Sequence, residues 1–300
     1  MKKKSLGKLF IAVAAMLSIV IASYGNHALA TFRVPADYPT IQEAIDAAIL
    51  AEDMDVVVSP GNYIENISFP AAMSFSVRSE SGPEVTIIDG SGHPGVPVVS
   101  MTADALIPEN GNDYSYPALI GFTITNGSAL QGGGIYISNK GAVVANCIVS
   151  NNTSMTEGGG IYSATGFLNV INSTIKNNTA GNSGGGIASY GRWLETDNCT
   201  ITGNIANSSG GGIATLHSSS EGGIYNSIIS NNVATNGSGG GIASYGKWLG
   251  TDNSTITGNT AGSDGGGIAI LDRSLGLGVF YNSTISNNDA IVAETADRPE

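Results

Sequence analysis

An all-β solenoid of stacked coils, opened by one short capping helix, is the fold this sequence predicts. Three observations predict it. Gly-Gly-Gly-Ile occurs six times, beginning at Gly132, Gly158, Gly184, Gly210, Gly239 and Gly265, with successive starts 26, 26, 26, 29 and 26 residues apart. An Ile or Val followed three residues later by Asn keeps step with it, at Val149/Asn152, Ile175/Asn178, Ile201/Asn204, Ile229/Asn232, Ile256/Asn259 and Ile285/Asn288. A longer unit repeats as well: residues 183–204 read SGGGIASYGRWLETDNCTITGN and residues 238–259 read SGGGIASYGKWLGTDNSTITGN. A fixed period of roughly 20–50 residues marks a stacked repeat architecture.

The elements follow in order. Residues 1–30 read as a secretory signal peptide cleaved after Ala30. Lys2, Lys3, Lys4 and Lys8 form a basic start, Leu9 to Ala22 is almost wholly apolar, and Ala28-Leu29-Ala30 is a small-residue cleavage site. The apolar run is shorter than the roughly 20 residues that span a bilayer. No second such run follows, so the mature chain is expected to have no transmembrane span. Residues 31–115 read as the N-terminal cap and first coils. Thr40-Ile41-Gln42-Glu43 has the form of a capping box, and Ile41, Ala44, Ile45 and Ala48 then fall on one helical face. Short strands follow at Val56–Val58, Phe75–Val77 and Val85–Ile88, and residues 103–117 read as a polar loop.

Residues 116–290 are the repeat coils of about 26 residues. Each reads as two short strands separated by turns: Gly134–Ile137 begins one, and Val143–Val149 makes the other. Strands this short bury an apolar face only by stacking. Ile175, Ile201, Ile229, Ile256 and Ile285 then form one inward column, and Asn178, Asn204, Asn232, Asn259 and Asn288 form a second at a corner. Asn suits that corner because it tolerates left-handed backbone and its amide bonds to its own kind. The triple glycine removes side chains where the chain bends. Asn287-Asn288-Asp289-Ala290 matches the lead-in to a further triple glycine that does not come, so residues 291–300 read as a polar tail, with truncation an open alternative.

Charge narrows the partners. The chain carries 12 basic and 24 acidic residues. Four of the basic residues and none of the acidic ones lie in residues 1–30, which leaves eight against 24, a net charge of −16. Such a surface repels phosphate backbones, so no nucleic-acid partner is expected, and it disfavours a simple electrostatic grip on an anionic polysaccharide. Cys147 and Cys199 are two repeats apart. Two coil rises of about 4.8 Å separate their Cα atoms by ~9–10 Å, beyond the roughly 7 Å that a disulfide bridges. Two free, buried thiols are predicted, in a column with Ser173 between them.

Two stretches carry a resemblance. VPADYPTIQEAI at 34–45 followed by DVVVSPGNYIE at 55–65 resembles the opening of pectin-lyase-like right-handed parallel β-helix proteins. The GGGI and I-x-x-N pairs resemble the polymorphic outer-membrane-protein repeat, in which Phe is usual where this chain has Ile or Val. Together they cover most of residues 34–290. They imply a right-handed parallel β-helix with three faces, secreted or at the cell surface, and they are weak guides to activity.

Catalytic signatures of that superfamily are missing. Gly61-Asn62-Tyr63-Ile64-Glu65 matches the G-x-Y-x-E opening of pectin methylesterases, but their later Gln, Asp and Arg motifs are not visible, and Glu65 reads as a structural turn residue. The polygalacturonase-type and alginate-epimerase motifs are absent. Arg192 with Glu195 and Asp197, Lys247 with Asp252, and Asp272 with Arg273 read as exposed solubilising charges. His93 and His217 are isolated and no zinc spacing exists, so no metal and no cofactor is expected. The constellation that stands out is aromatic: Tyr190, Arg192 and Trp193 recur as Tyr245, Lys247 and Trp248. In register, the two Trp lie about two coil rises apart on one face, either as a platform for sugar rings or packed against a loop or the flank of the stack.

The leading functional expectation is therefore a secreted or cell-surface β-helix, outer-membrane associated and non-catalytic, acting in adhesion or carbohydrate recognition. Its partner would be a polysaccharide or surface glycan. The second is a polysaccharide-active enzyme of the lyase, hydrolase or epimerase class. The third is a structural surface element. A carboxylate cluster beside Arg192 or Lys247 would favour the enzyme, and an exposed aromatic strip would favour binding.

Overall fold

The computed structural model describes residues 32–51, 55–70, 75–102, 116–138, 141–246, 248–271 and 277–291. The segment read as a signal peptide, most of the 103–117 loop and the 292–300 tail lie outside these. One helix, α1 (Ile41–Leu50), precedes strands that stack as a parallel β-solenoid. One turn shows the path. Gly141–Ala145 lies on face 1, Ile148–Ser150 on face 2, Thr153–Ser154 on face 3 and Ile161–Ser163 on face 4, and Phe167–Ile171 then begins the next turn on face 1. The four sheets hold 10, 9, 7 and 8 strands respectively. Faces 1, 2 and 4 are the three main walls. Face 3 is a two-residue ladder that the reading of three faces omitted.

The turn has four strands where the sequence suggested two. Val143–Val149 is split at Asn146, whose φ of +53° turns the chain from face 1 to face 2. Asn172, Asn198, Asn226, Asn253 and Asn282 repeat that corner. A second left-handed corner, between faces 2 and 3, uses Asn151, Asn177, Asn231 and Asn287, with Gly203 and Gly258 in the same role. The Asn of the I-x-x-N pair is therefore not the left-handed residue. Its predecessor takes that strain and leaves the paired Asn facing inward.

The inward columns form as expected. Ile175, Ile201, Ile229 and Ile256 are buried, in register with Val149, Ile124 and Ile88. Each buried aliphatic contributes about 1.5–3 kcal/mol. Ile285 is in the same column, on the last turn, and is 46% exposed. Beside this column stand Asn152, Asn178, Asn204, Asn232 and Asn259, all fully buried. Asn178 donates both its backbone N–H and its Nδ2 to Asn204 Oδ1, each at 3.0 Å, and its Nδ2 also reaches the Val149 carbonyl at 2.9 Å. Asn204 repeats the pattern on Asn232 and Ile175.

The triple glycine has two separate causes. Gly184 has φ of +70°, the left-handed region. Gly185 needs space instead, since a Cβ there would lie 2.5 Å from the Gly211 carbonyl oxygen of the next turn and 2.5 Å from Ile205 backbone. The cysteines are free and buried. Cys147 N–H donates to Ser173 Oγ and Cys199 N–H to Ser227 Oγ, which gives the predicted Cys/Ser column.

Helix α1 buries Ile41, Ala44, Ile45 and Ala48, the face read from the sequence, and packs on the strands Phe32–Val34 and Asp55–Val58. Thr40 Oγ1 accepts from Glu43 N–H at 3.2 Å. Glu65 supplies the rest of the cap: its carboxylate accepts from the backbone N–H of Ile41 (3.0 Å) and Gln42 (3.1 Å). Its structural role is thus to hold the helix start.

Candidate functional site

The strand Trp193–Asp197 carries the densest polar and aromatic chemistry. Leu194 and Thr196 point into the core and are buried. Alternation turns Trp193, Glu195 and Asp197 outward on face 1. Parallel register then builds three outward columns: Phe167, Trp193, Glu221, Trp248; Asn169, Glu195, Gly223, Gly250; and Ile171, Asp197, Tyr225, Asp252. The two Trp positions are two turns apart in one column, as the spacing predicted. The side chain of Trp248 lies outside the described residues.

An aromatic string runs down the first column. Tyr116 and Phe167 have ring centroids 5.8 Å apart, and Phe167 and Trp193 are 6.4 Å apart. Phe167 is 42% exposed. Trp193 donates its indole Nε1–H to Glu195 Oε2 at 3.2 Å. Glu195 is only 9% exposed, so it is not the solubilising surface charge the sequence suggested. Burial pushes its carboxyl pKa up and the charge of Asp197 adds to this, against the opposing indole hydrogen bond. Tyr225 leans across Gly223, where a Cβ would collide with its hydroxyl. Burial, followed by Glu195, Asp252 and Asp197, raises the Tyr225 phenol to about 12.

The strip Tyr190–Arg192–Trp193 is divided by the fold. Tyr190 follows the face 4 strand Ile187–Ser189, and Trp193 begins the face 1 strand. Gly191 and exposed Arg192 form the corner between them. Tyr245 follows Ile242–Ser244 on face 4 in the same way, two turns from Tyr190, and Lys247 lies outside the described residues. On face 4, Tyr190 completes a different row: Tyr136 and Tyr162 stack at 5.6 Å, and Tyr162 meets Tyr190 edge-on at 6.0 Å. Beside this row, Glu157 accepts from Gln131 Nε2 (3.0 Å) and Asn182 Nδ2 (2.9 Å).

Sequence reading missed Tyr116, Phe167, Tyr136 and Tyr162 as aromatic neighbours, and Tyr225 as a partner of Glu195. Register, counted at the 26-residue period, identifies Phe167 below Trp193. Nothing in the sequence announces that Tyr225 crosses to the central column. Among the described residues, no group of three or more His, Cys, Asp or Glu side chains is arranged to hold a metal ion. No described helix is long and apolar enough to cross a membrane, which leaves membrane-spanning strands unaddressed.

Comparison with known proteins bears on the fold. The Chlamydia polymorphic membrane protein repeat matches residues 146–164. The structure is similar to that of pectin methylesterase from Aspergillus niger in a penultimately deglycosylated form, with TM-score 0.53 and 15% identity over 91% of this chain and 90% of that one. A deglycosylated form of that enzyme gives TM-score 0.45 at 14% identity, covering 91% and 90%. No curated protein sequence matches the chain. At such identity the likeness speaks for the fold alone. The chain is thus a parallel β-helix, similar in fold to pectin methylesterase, in which residues 146–164 match the Chlamydia polymorphic membrane protein repeat.

Proposed function

We propose that this protein is an exported, outer-membrane-associated surface protein that recognises a polysaccharide or surface glycan through the outer side of face 1, without catalysis. Residues 1–30 serve as its signal peptide. The observation that carries the reading is the string Tyr116–Phe167–Trp193, ending on a buried polar group, Glu195. Apolar ring faces beside hydrogen-bonding groups suit sugars, whose C–H faces and hydroxyls alternate. Arg192 flanks the platform at the corner and Tyr190 and Tyr245 lie on the adjoining face 4 side, while Lys247 and Trp248 complete the second copy of the motif in the sequence. The matched repeat supports the surface location.

The test is a screen of the mature protein against glycans and polysaccharides, read for both binding and product release. Replacing Phe167 and Trp193 together by Ala should weaken the binding about tenfold or more, with the melting curve retained. Unaltered binding in that variant would sink the reading. One observation favours the second reading, an enzyme: Glu195 has a raised carboxyl pKa beside Asp197, the pairing from which acid–base chemistry is built. Released product that disappears in Glu195→Gln would establish it.

A further inference from the structure

We infer that the glycan accepted on face 1 is free of carboxylates, and that polyuronates are excluded by the face itself. The inference rests on the reading above and narrows its ligand. Three outward positions around the platform are acidic within two turns: Glu195, Asp197 and Asp252. Glu195 is buried, and its carboxylate meets an indole N–H and no cation among the described residues. The described ion pairs, Arg33–Glu80 and Arg78–Asp55, lie on the first turns of the stack.

A sugar ring stacked on Trp193 projects its substituents toward the Glu195 and Asp197 columns. Gly223 and Gly250 follow Glu195 in the central column, so the floor there has no side chain except the overhanging Tyr225 phenol. Apart from Arg192, exposed at the corner beside Trp193, the lining is thus rich in acceptors. Sugar hydroxyls, which donate, satisfy it. A ligand carboxylate about 5 Å from any one of these groups would be weakened about a hundredfold at the dielectric typical of protein surfaces. The low-dielectric setting of Glu195 sharpens the exclusion, because its charge is poorly screened by solvent and salt.

The experiment is calorimetric titration of the mature protein with neutral hexasaccharides of gluco, manno and xylo configuration and with hexagalacturonate, at low and high salt. A neutral hexasaccharide should bind with little salt dependence, and hexagalacturonate should not bind at low salt. In Asp197→Asn/Asp252→Asn the ratio of uronate to neutral affinity should rise at least about tenfold, with circular dichroism confirming the fold. Wild-type binding of hexagalacturonate as tight as that of the neutral sugars would overturn the inference while leaving glycan recognition standing. Absence of binding to every probe would remove glycan recognition and the inference with it.

Discussion

A carboxylate with less than a tenth of its surface in water ordinarily has a cation for company, and Glu195 has an indole N–H and an acidic neighbour. That placement weakens the fold. Because the folded-state pKa is raised, the native state holds this proton more tightly than the unfolded chain does. The associated stability is complete below the unfolded-state pKa, about 4.3. It is lost as pH rises through the folded value. Glu195→Gln should therefore raise the melting temperature at pH 7 by about 2 °C, and the gain should vanish below about pH 4. A gain of equal size at both pH values would refute the electrostatic cause. The thiols differ in kind: burial raises Cys147 to about 11 and Cys199 to about 12, which leaves both unreactive at neutral pH. Their free state was legible from a two-repeat spacing. The burial of Glu195 was not, because it is set by packing between turns rather than by local spacing.

The Asn column is the element on which stacking turns. Each internal Asn ties three turns together, accepting from the turn before and donating to the turn after. Asn204→Ala strips partners from Asn178 N–H, Asn178 Nδ2 and the Ile175 carbonyl, all in the interior. An unsatisfied buried group costs about 1–3 kcal/mol, so the variant should lose on the order of 3 kcal/mol or more. Asn288→Ala strips the equivalent partners, Asn259 and the Ile256 carbonyl, but at the half-exposed last turn, where water can replace them, and should lose clearly less. Denaturant melts that rank the two equally would contradict this account. The sequence announced the column by its I-x-x-N spacing. It assigned the left-handed corner to the wrong Asn, because two adjacent Asn side chains look alike until one is seen to face the core.

Stacked repeats contact only their neighbours, so stability along the solenoid should be graded. The first turns are covered by α1, whose apolar face is buried against them. On the last described turn Phe280, Tyr281, Ile285 and Ile291 are exposed. Hydrogen exchange followed by mass spectrometry should find the amides of 277–291 least protected and those of 141–234 most protected. Equal protection in the two regions would argue against a graded stack.

Period alone determined the architecture. A motif repeated every 26 residues forces like side chains into columns whatever the exact corners, so the inward Ile and Asn, the unpaired cysteines and the two-turn separation of Trp193 and Trp248 could all be counted from the chain. Tertiary structure alone decided which face each aromatic joins. Tyr190 and Trp193 are three residues apart, yet the corner at Gly191 and Arg192 sends them to different walls. The polar character of the site was likewise decided in space, since Glu195 is buried by the stacking of turns and the phenol of Tyr225 leans over the glycine beside it in the column.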